Sequence, residues 1–337
     1  MVGEPFEHDA PAIQEHENEP AEVVIVCEPE GTSLMMGGLH PRASLYERPV
    51  NLDAAKAAHS EFRRVMREHG VKVRACMREQ DRHYVTKEYM KEVLEHMSIA
   101  QLIDTILINP TVHISPSYRD TGLSATYTFK PLSNLVYTRD QQVLPYTGLP
   151  VIGEIEAPGF LEGGDFFSAG RDLAMVGIGL RSNFEACRQL MERDLLGTRR
   201  LAIVRDEFEQ HQARGCATMA FRYPTRRLVD EWTRTADGGY ELTRQGVEFS
   251  AYMRGEGYHI IPIKATDQLL YGCNVLNLGN SKVLSVHAAT ARQIVRDPHF
   301  KGEVQVVNFT PITSMYGAVH CSSQVSPAAK FSLFSIF

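Results

Sequence analysis

The fold is decided by a stretch that reads LAMVGIGLRSNFEACRQLMERDLLGTRRLAIVRD, residues 173–206. Its two ends, 173–180 and 200–206, are short apolar runs of the kind that forms buried strands. The segment between them, 182–195, is predicted to be a helix. A strand, a helix and a second strand in succession indicate an α/β fold with short strands.

The same alternation extends outward from this stretch in both directions. Towards the start, AEVVIVCEP at 21–29 and VKVRACM at 71–77 predict strands on either side of a helix. We expect Asp53 to cap that helix and Gly70 to end it. The Gly-Asn turn within CNVLNLGNSKVLSVH indicates a hairpin, so the sheet is not expected to be purely parallel. The remaining predicted elements are strands at 132–138, 150–157, 258–265, 273–287 and 304–310, and helices at 224–235 and 288–297.

Composition and length indicate one large globular unit. The 337-residue chain is 43% hydrophobic and 23% charged, with ample material for a core. We predict a single domain over 21–325, preceded by a disordered polar segment at 1–20 and followed by a tail at 326–337. Residues 82–109 are charged, rich in Met and Leu and helical in period, which indicates a helical insertion. The sequence has no GxGxxG or Walker loop that would indicate a nucleotide binder.

Charge and cysteine usage exclude several classes of protein. The net charge of −6 and the lack of a Lys/Arg-rich run argue against nucleic-acid and membrane partners. The six cysteines show neither CxxC pairing nor a His/Cys cluster with metal-ligand spacing, so neither a metal site nor a disulfide framework is predicted. The start does not read as a signal peptide, and no run approaches the ~20 apolar residues of a membrane span. These features predict a cytoplasmic protein.

Four polar stretches are candidates for a functional site. They read PLSNLVYTRD, FLEGGDFF, VGIGLRSN and YGAVHCSSQ. Each also has an ordinary structural interpretation: a surface Arg–Asp pair, a Gly-Gly-Asp turn, a solvated arginine at a helix start, and a small buried cysteine. The side chains that could bind or react are Asn134, Asp140, Glu162, Asp165, Arg181 and Cys321.

Two carboxylates and a nucleophile indicate chemistry on a planar cation. The carboxylates can clamp a guanidinium through paired hydrogen bonds, and a cysteine thiolate can attack its central carbon. Glycines beside Glu162 and Asp165 would let the backbone approach such a ligand closely. On a strand, His320 and Cys321 would point to opposite faces, so His320 need not be the base of Cys321. An unrelated Cys–His hydrolase that uses His320 is the alternative.

The order of the motifs carries a resemblance to a known family. GGLHPRASLYERP near the start, PLSNLVYTRD, FLEGGDFF, VGIGLRS and the terminal GAVHCSS stand in the order found in arginine deiminases. The chain therefore resembles arginine deiminases, within the guanidine-modifying (amidinotransferase-like, or pentein) superfamily, over roughly residues 22–325. The resemblance implies a five-bladed α/β propeller of ββαβ units, with a helical insertion at about 79–130.

The resemblance also implies a reaction and a set of roles. Arginine deiminases hydrolyse L-arginine to L-citrulline and ammonia without a metal or cofactor, and they are commonly dimers or larger. We therefore expect a small-molecule partner, L-arginine, and a homo-oligomer. By the resemblance, Cys321 forms a covalent amidino-thioether, while Asp140 and Glu162 hold the guanidinium. The other residues implied are Asn134 and Arg181, which bind the amino-acid end, and Asp165, which supports the site.

The largest departure from the family pattern concerns the general acid and base. Arginine deiminases carry a catalytic His with an Asp two positions on, and that Asp is a further guanidinium clamp. The corresponding region here reads EFEQHQARGCATMAFRYPTRRL, which contains His211 but no His-x-Asp. Because general acid–base catalysis contributes ~10²–10⁴-fold, its loss predicts an impaired enzyme.

Two smaller departures concern substrate recognition. After Gln142 the chain is too short for the family's next helix, and no arginine lies between Arg139 and Arg171. Near the nucleophile, Met315 and Tyr316 stand where an Arg and a Gly are usual. The gaps after Gln142 and at 213–224 predict two incomplete blades. The open alternatives are a catalytically inactive guanidino-ligand-binding protein and a sister enzyme, namely an agmatine or dimethylarginine deiminase or an amidinotransferase.

Overall fold

A computed structural model describes residues 19–32, 34–35, 46–48, 50–75, 97–117, 123–130, 134–140, 153–179, 181–206 and 227–326. The strands are β1 (Val23–Val26), β2 (Lys72–Ala75), β3 (Pro110–Pro116), β4 (Leu123–Phe129), β5 (Phe166–Ser168), β6 (Leu173–Ile178), β7 (Arg200–Asp206), β8 (Arg227–Arg234), β9 (Tyr240–Glu248), β10 (Leu276–Gly279), β11 (Lys282–Ser285), β12 (Glu303–Val306) and β13 (Gln324–Ser326). The helices are α1 (Leu52–Glu68), α2 (Ile99–Ile108), α3 (Phe184–Glu192), α4 (Phe249–Gly255), α5 (Ala265–Gln268), α6 (Ala288–Arg296) and α7 (Thr310–Thr313), and a 3₁₀ turn lies at Gly163–Asp165.

One ββαβ unit recurs in this part of the chain. In it, two antiparallel strands are followed by a helix and by a third strand that is parallel to the second. The units are β5–β6–α3–β7, β10–β11–α6–β12, and a third that joins the chain ends as β13–β1–α1–β2. The described residues complete three units, which agrees with the predicted α/β class, while the five-bladed propeller stays a prediction.

The largest sheet has the order β5-β6-β7-β8-β9, and its alternating side chains build two cores. On one face, Met175 and Val204 pack against Phe249 and Tyr252 of α4. On the other face, Cys187 and Leu190 of α3 pack against a second set of strand side chains: Ala174, Val176, Leu201 and Ile203. A sheet covered on both faces explains why β6 and β7 read as continuous apolar runs.

A third core joins the β1 sheet to the β10 sheet. Phe62 of α1 is fully buried and meets Phe309 edge to face, with ring centroids 5.2 Å apart. Leu276 and Leu284 of the β10–β11 hairpin belong to the same cluster, and so does Cys321. The predicted nucleophile therefore lies where two ββαβ units pack together.

The prediction of a helix at 224–235 is wrong, because β8 occupies Arg227–Arg234. Its burial alternates with a period of two, which puts Val229 and Glu231 on the buried face. A buried Glu is costly unless it is paired, and Arg200 of β7 supplies the partner across the sheet at 2.8 Å. The charged residues of 227–234 suggest a solvated helix face, but Glu231 is in fact paired with an arginine on the neighbouring strand.

The predicted helical insertion at about 79–130 is helical only in part of its described residues. Ser98 and Gln101 form a capping box at the start of α2. After α2, the strands β3 and β4 form an antiparallel hairpin from Pro110↔Phe129 to Pro116↔Leu123. The helical prediction is wrong over this hairpin, whose β-branched and aromatic residues favour strands. Residues 76–96 lie outside the described residues.

Other local predictions divide in the same way. Asn51, and not Asp53, caps α1, since its Oδ1 accepts a hydrogen bond from the backbone N–H of Ala54 at 2.9 Å. The predicted strands at 132–138, 150–157 and 258–265 form turns or irregular structure at their described residues 134–138, 153–157 and 258–264. Of the predicted terminal segments 1–20 and 326–337, residues 1–18 and 327–337 lie outside the described residues. No helix in the described ranges has the length and apolar character of a membrane span.

Candidate functional site

Backbone hydrogen bonds bring the predicted site segments together. The N–H of Arg139 donates to the carbonyl of Cys321 at 3.1 Å, and the N–H of Gly163 donates to the carbonyl of Asp140 at 3.1 Å. The guanidinium Nε of Arg139, which is 2% exposed, donates to the carbonyl of His320 at 3.1 Å. The turn that contains Asp140 is therefore held between the 3₁₀ turn after Glu162 and the segment that contains Cys321.

The thiol of Cys321 is positioned by an asparagine from another element. Nδ2 of Asn274, just before β10, donates to Sγ of Cys321 at 3.2 Å. Oδ1 of Asn274 accepts from the backbone N–H of His320 at 2.8 Å. Asn274 and Cys321 are both buried, and the two hydrogen bonds fix the nucleophile segment to the start of the β10 region. A donor aimed at sulfur stabilises a thiolate.

His320 is part of the packed interior beside the cysteine. Its imidazole lies flat against the ring of Phe167, with centroids 5.6 Å apart and planes 11° apart. The residue is 3% exposed. The stacking on Phe167 of β5 fixes the orientation of the imidazole ring, so His320 contributes to packing.

Three carboxylates share the neighbourhood of Cys321. Ser182 links two of them: its Oγ donates to Oδ2 of Asp165 at 2.8 Å and accepts from the N–H of Glu162 at 2.9 Å. For the third, Asp140, Oδ1 is buried and makes no hydrogen bond to any residue that the structure describes. A buried carboxylate oxygen in this condition is costly, and a cationic or hydrogen-bonding ligand would relieve that cost.

The pKa values of Asp140 and Glu162 indicate the same cost of leaving these buried carboxylates without a cation. Burial raises the pKa of Asp140 well above its ordinary value, and the charges of Cys321 and Glu162 raise it further. Burial likewise raises the pKa of Glu162 to about 7, although the charge of Arg181 opposes this shift. A bound cation would oppose both shifts, because it favours the ionised form of each carboxyl group.

Arg181 supplies one such cation from within the chain. Its Nη1 donates to Oε1 of Glu162 at 2.6 Å, and its guanidinium lies 5.7 Å from the ring centroid of Tyr316. Burial is the largest influence and works against the charged form, but the charge and hydrogen bond of Glu162, together with the charges of Asp140 and Cys321, outweigh it and raise the pKa of Arg181. Arg181 was predicted to bind the amino-acid end of a substrate. In this structure it instead occupies the carboxylate predicted to hold the substrate guanidinium.

The turn before the nucleophile is tightly packed. Tyr316 has a φ of 79°, in the left-handed region that favours glycine, which agrees with its standing where the family has a Gly. A Cβ on Gly317 would lie 2.5 Å from Cε1 of Tyr137, so only glycine fits against that ring. The hydroxyl of Tyr137 donates to the carbonyl of Ile312 at 2.8 Å and holds the ring in place.

Asn134 lines a hollow to which Asp140, Glu162 and Asp165 do not contribute. It adopts a left-handed conformation at the start of the 134–140 turn and lines this hollow with Glu28, Glu30 and Tyr46. The structure thus gathers five of the predicted site residues and places Asn134 at this hollow, on the same turn. His211 and the segments 141–150 and 207–226 lie outside the described residues.

Sequence reasoning missed Asn274 and Ser182. Ser182 stands beside Arg181 in VGIGLRSN, and its position at a strand end was the signal that could have revealed it. Asn274 opens the strand of the predicted hairpin, and no local pattern links it to a cysteine 47 positions away. Only long-range packing brings that amide to the sulfur.

Comparisons with known proteins give one family match and several similar folds. No curated protein matches the sequence. The sequence profile of the arginine deiminase family matches residues 153–215, which contain FLEGGDFF and VGIGLRSN. That segment carries three of the gathered side chains.

Solved structures give the fold. The N-terminal domain of ArgZ, a cyanobacterial arginine dihydrolase bound to its product, is similar with a TM-score of 0.52 and 13% identity, over 90% of this chain and 96% of that one. SxtG, an amidinotransferase from Microseira wollei, is similar with a TM-score of 0.50 and 16% identity, over 96% of this chain and 100% of that one. AgrE in complex with ornithine and NAD⁺ is similar with a TM-score of 0.52 and 14% identity, over 91% of this chain and 40% of that one. The predicted resemblance to arginine deiminases is confirmed by the profile match over residues 153–215, and the solved structures show that the chain shares their α/β fold.

Proposed function

We propose that the chain descends from arginine deiminases and acts on the guanidinium group of L-arginine, with Cys321 as nucleophile. The observation that carries the proposal is the contact between Glu162 and Arg181 at 2.6 Å. The acidic cluster beside Cys321 already holds a guanidinium, the group that distinguishes arginine from other amino acids. A cluster that accepts Arg181 has the charge and hydrogen-bond acceptors to accept a ligand of the same chemistry.

The proposed reaction has two covalent steps. The Sγ thiolate of Cys321 forms a bond to the guanidinium carbon, and one C–N bond breaks so that the nitrogen takes a proton and leaves as ammonia. Water then adds to the carbon of the amidino-thioether and gives up a proton, the C–S bond breaks, and the thiolate returns as citrulline departs. Asp140 and Glu162 would hold the two sides of the guanidinium, and Asn274 would stabilise the thiolate through its 3.2 Å contact.

The proton transfers are the weak part of this mechanism. Ammonia departure needs an acid, and water attack needs a base. His320 is stacked on Phe167, and the family's His-x-Asp is missing from the sequence. We therefore expect turnover reduced by the ~10²–10⁴-fold that general acid–base catalysis typically contributes.

A second candidate is a protein that binds guanidino ligands without turnover. The packing of His320 against Phe167 favours it, because binding needs the carboxylates but no acid or base. Asn134 would meet the amino-acid end in either case, since Glu28 and Glu30 in the same hollow would attract an α-ammonium group. The cytoplasmic location and the homo-oligomer stay predictions.

The deciding experiment measures binding and chemistry together. Calorimetry with L-arginine and agmatine reports binding, and citrulline release from L-arginine reports turnover. Cys321→Ala should abolish citrulline release, while Cys273→Ala, which removes a neighbouring half-buried thiol, should preserve it. Binding without any citrulline supports the second candidate. A folded chain that binds neither ligand contradicts both, and citrulline release that survives Cys321→Ala contradicts the nucleophile.

A further inference from the structure

A group of two histidines and an aspartate lies away from the acidic cluster. It consists of His259, in the segment after α4, and of Asp297 and His299, in the connection from α6 to β12. One ligand atom from each residue lies within 4.8 Å of the others. No local pattern predicts the group, because 38 positions separate His259 from Asp297.

The carboxylate of Asp297 contacts one nitrogen of each imidazole. Nε2 of His259 lies 3.0 Å from Oδ2 of Asp297, and Nδ1 of His299 lies 3.3 Å from Oδ1. The two rings are stacked with centroids 3.8 Å apart. Donor atoms held about 2.0–2.1 Å from a tetrahedral Zn²⁺ are about 3.3–3.4 Å from one another, so these separations are close to those of a zinc site.

The surroundings favour a cation at this position. The side chain of Asp297 is only 14% exposed, and its Oδ1 also accepts the backbone N–H of His299 at 2.9 Å. Asp297 is also the C-cap of α6, where the helix dipole presents partial negative charge.

We propose that His259, Asp297 and His299 bind one divalent transition-metal ion, with Zn²⁺ the best match to an N₂O ligand set. Water would take the fourth position. The histidines are 44% and 65% exposed at their side chains, so an ion reaches the site directly from solvent. This proposal is independent of the proposed function, since none of its ligands belongs to the acidic cluster.

The bound ion would connect two structural units. His259 follows the five-stranded sheet and α4, whereas Asp297 and His299 belong to the β10–β11–α6–β12 unit. The amide of Gln293 on α6 also donates to the carbonyl of Pro262, so the two segments already meet beside the site. A ligand that binds only the folded state raises its stability, so the ion should raise the melting temperature.

The test uses the full chain and Zn²⁺ itself, by calorimetry and by thermal melts. His259→Asn and His299→Asn remove one ligand each, and His113→Asn on the exposed hairpin strand β3 is the matched control. Cys321→Ser removes the thiol that could bind zinc elsewhere. Co²⁺ substitution serves as a spectroscopic readout, because nitrogen and oxygen ligands lack the near-ultraviolet sulfur-to-cobalt band.

We expect one Zn²⁺ per chain and a higher melting temperature in the parent, His113→Asn and Cys321→Ser proteins. His259→Asn and His299→Asn should bind at least tenfold more weakly and lose the shift in melting temperature. The proposal is overturned if the parent binds no Zn²⁺, if both ligand variants retain its affinity, or if the Co²⁺ complex shows thiolate ligation. Because His299 is the most exposed of the three, its variant keeps the test valid should His259→Asn fail to fold.

Discussion

Arg181 balances the acidic cluster in this structure, and its removal separates two roles that the residue could have. As an internal guanidinium on Glu162, it competes with small guanidinium ions. As a contact for the amino-acid end, it would instead favour arginine. The two roles predict opposite effects on two ligands.

We expect Arg181→Ala to bind methylguanidine about tenfold more tightly, since a charged hydrogen bond of about 1.5–3 kcal/mol no longer competes. Arg188→Ala, which removes an exposed arginine from α3, is the matched control and should leave the affinity unchanged. Calorimetry with methylguanidine and with L-arginine checks both roles. Weaker binding of methylguanidine in Arg181→Ala would contradict the idea that Arg181 occupies the ligand position.

Asn274 is the residue whose loss should affect the nucleophile most directly. Without its 3.2 Å contact, the Cys321 thiolate loses a hydrogen bond in a buried site. We expect Asn274→Ala to slow alkylation of Cys321 by iodoacetamide about tenfold, which corresponds to about 1.4 kcal/mol. Asn277→Ala, in the adjoining strand β10, should alkylate at the parental rate. Equal rates in the parent and Asn274→Ala would contradict a role of Asn274 in stabilising the Cys321 thiolate.

At the scale of elements, α3 holds the five-stranded sheet in the form that the site requires. Leu190 of α3 is 5% exposed and packs in the same cluster as Phe166, which follows the 3₁₀ turn at Gly163–Asp165. Leu190→Ala should lower the free energy of unfolding by about 2–5 kcal/mol, through lost burial and the cavity it leaves. Urea denaturation checks this, with Arg188→Ala on the exposed face of α3 expected to change little. A loss equal to that of Arg188→Ala would mean that α3 does not support the core.

For the whole molecule, the buried acids make stability depend on pH. The pKa of Glu162 is raised from 4.5 to about 7 in the folded state, so the folded protein holds more protons than the unfolded chain between these values. The free energy of unfolding should therefore fall as the pH rises from about 4.5 to 7, by at most ~3 kcal/mol for this group. Asp140, whose pKa is also raised, acts in the same direction.

Urea denaturation at pH 5, 6, 7 and 8 measures this dependence, and Glu162→Gln should flatten it. Glu185→Gln is the control, because Arg188 lowers the pKa of Glu185 to about 2 and its contribution changes only below that window. The comparison concerns the slope with pH, since Glu162→Gln also removes the partner of Arg181 and shifts every value by a constant. Parallel curves for the parent and Glu162→Gln would contradict the raised pKa.

What the sequence determined by itself is local or carried by the order of its motifs. Apolar periodicity within a dozen residues was enough to predict α1, α3, α6, the β6 and β7 strands and the β10–β11 hairpin. The order of the polar motifs predicted the resemblance and the grouping of Asp140, Glu162 and Cys321. These predictions succeeded because each depends on neighbours in the chain or on a recurring pattern.

Tertiary structure alone decided the contacts between distant residues. It made 227–234 a strand, since Glu231 is stabilised by Arg200 across the sheet and not by water. It also brought Asn274 to Cys321, placed Arg181 on Glu162, and assembled His259 with Asp297 and His299. The physical reason is the same in each case: the polar partner lies about 20 to 50 residues away in the chain, and only the packing of distant strands, helices and turns brings the two within hydrogen-bond distance.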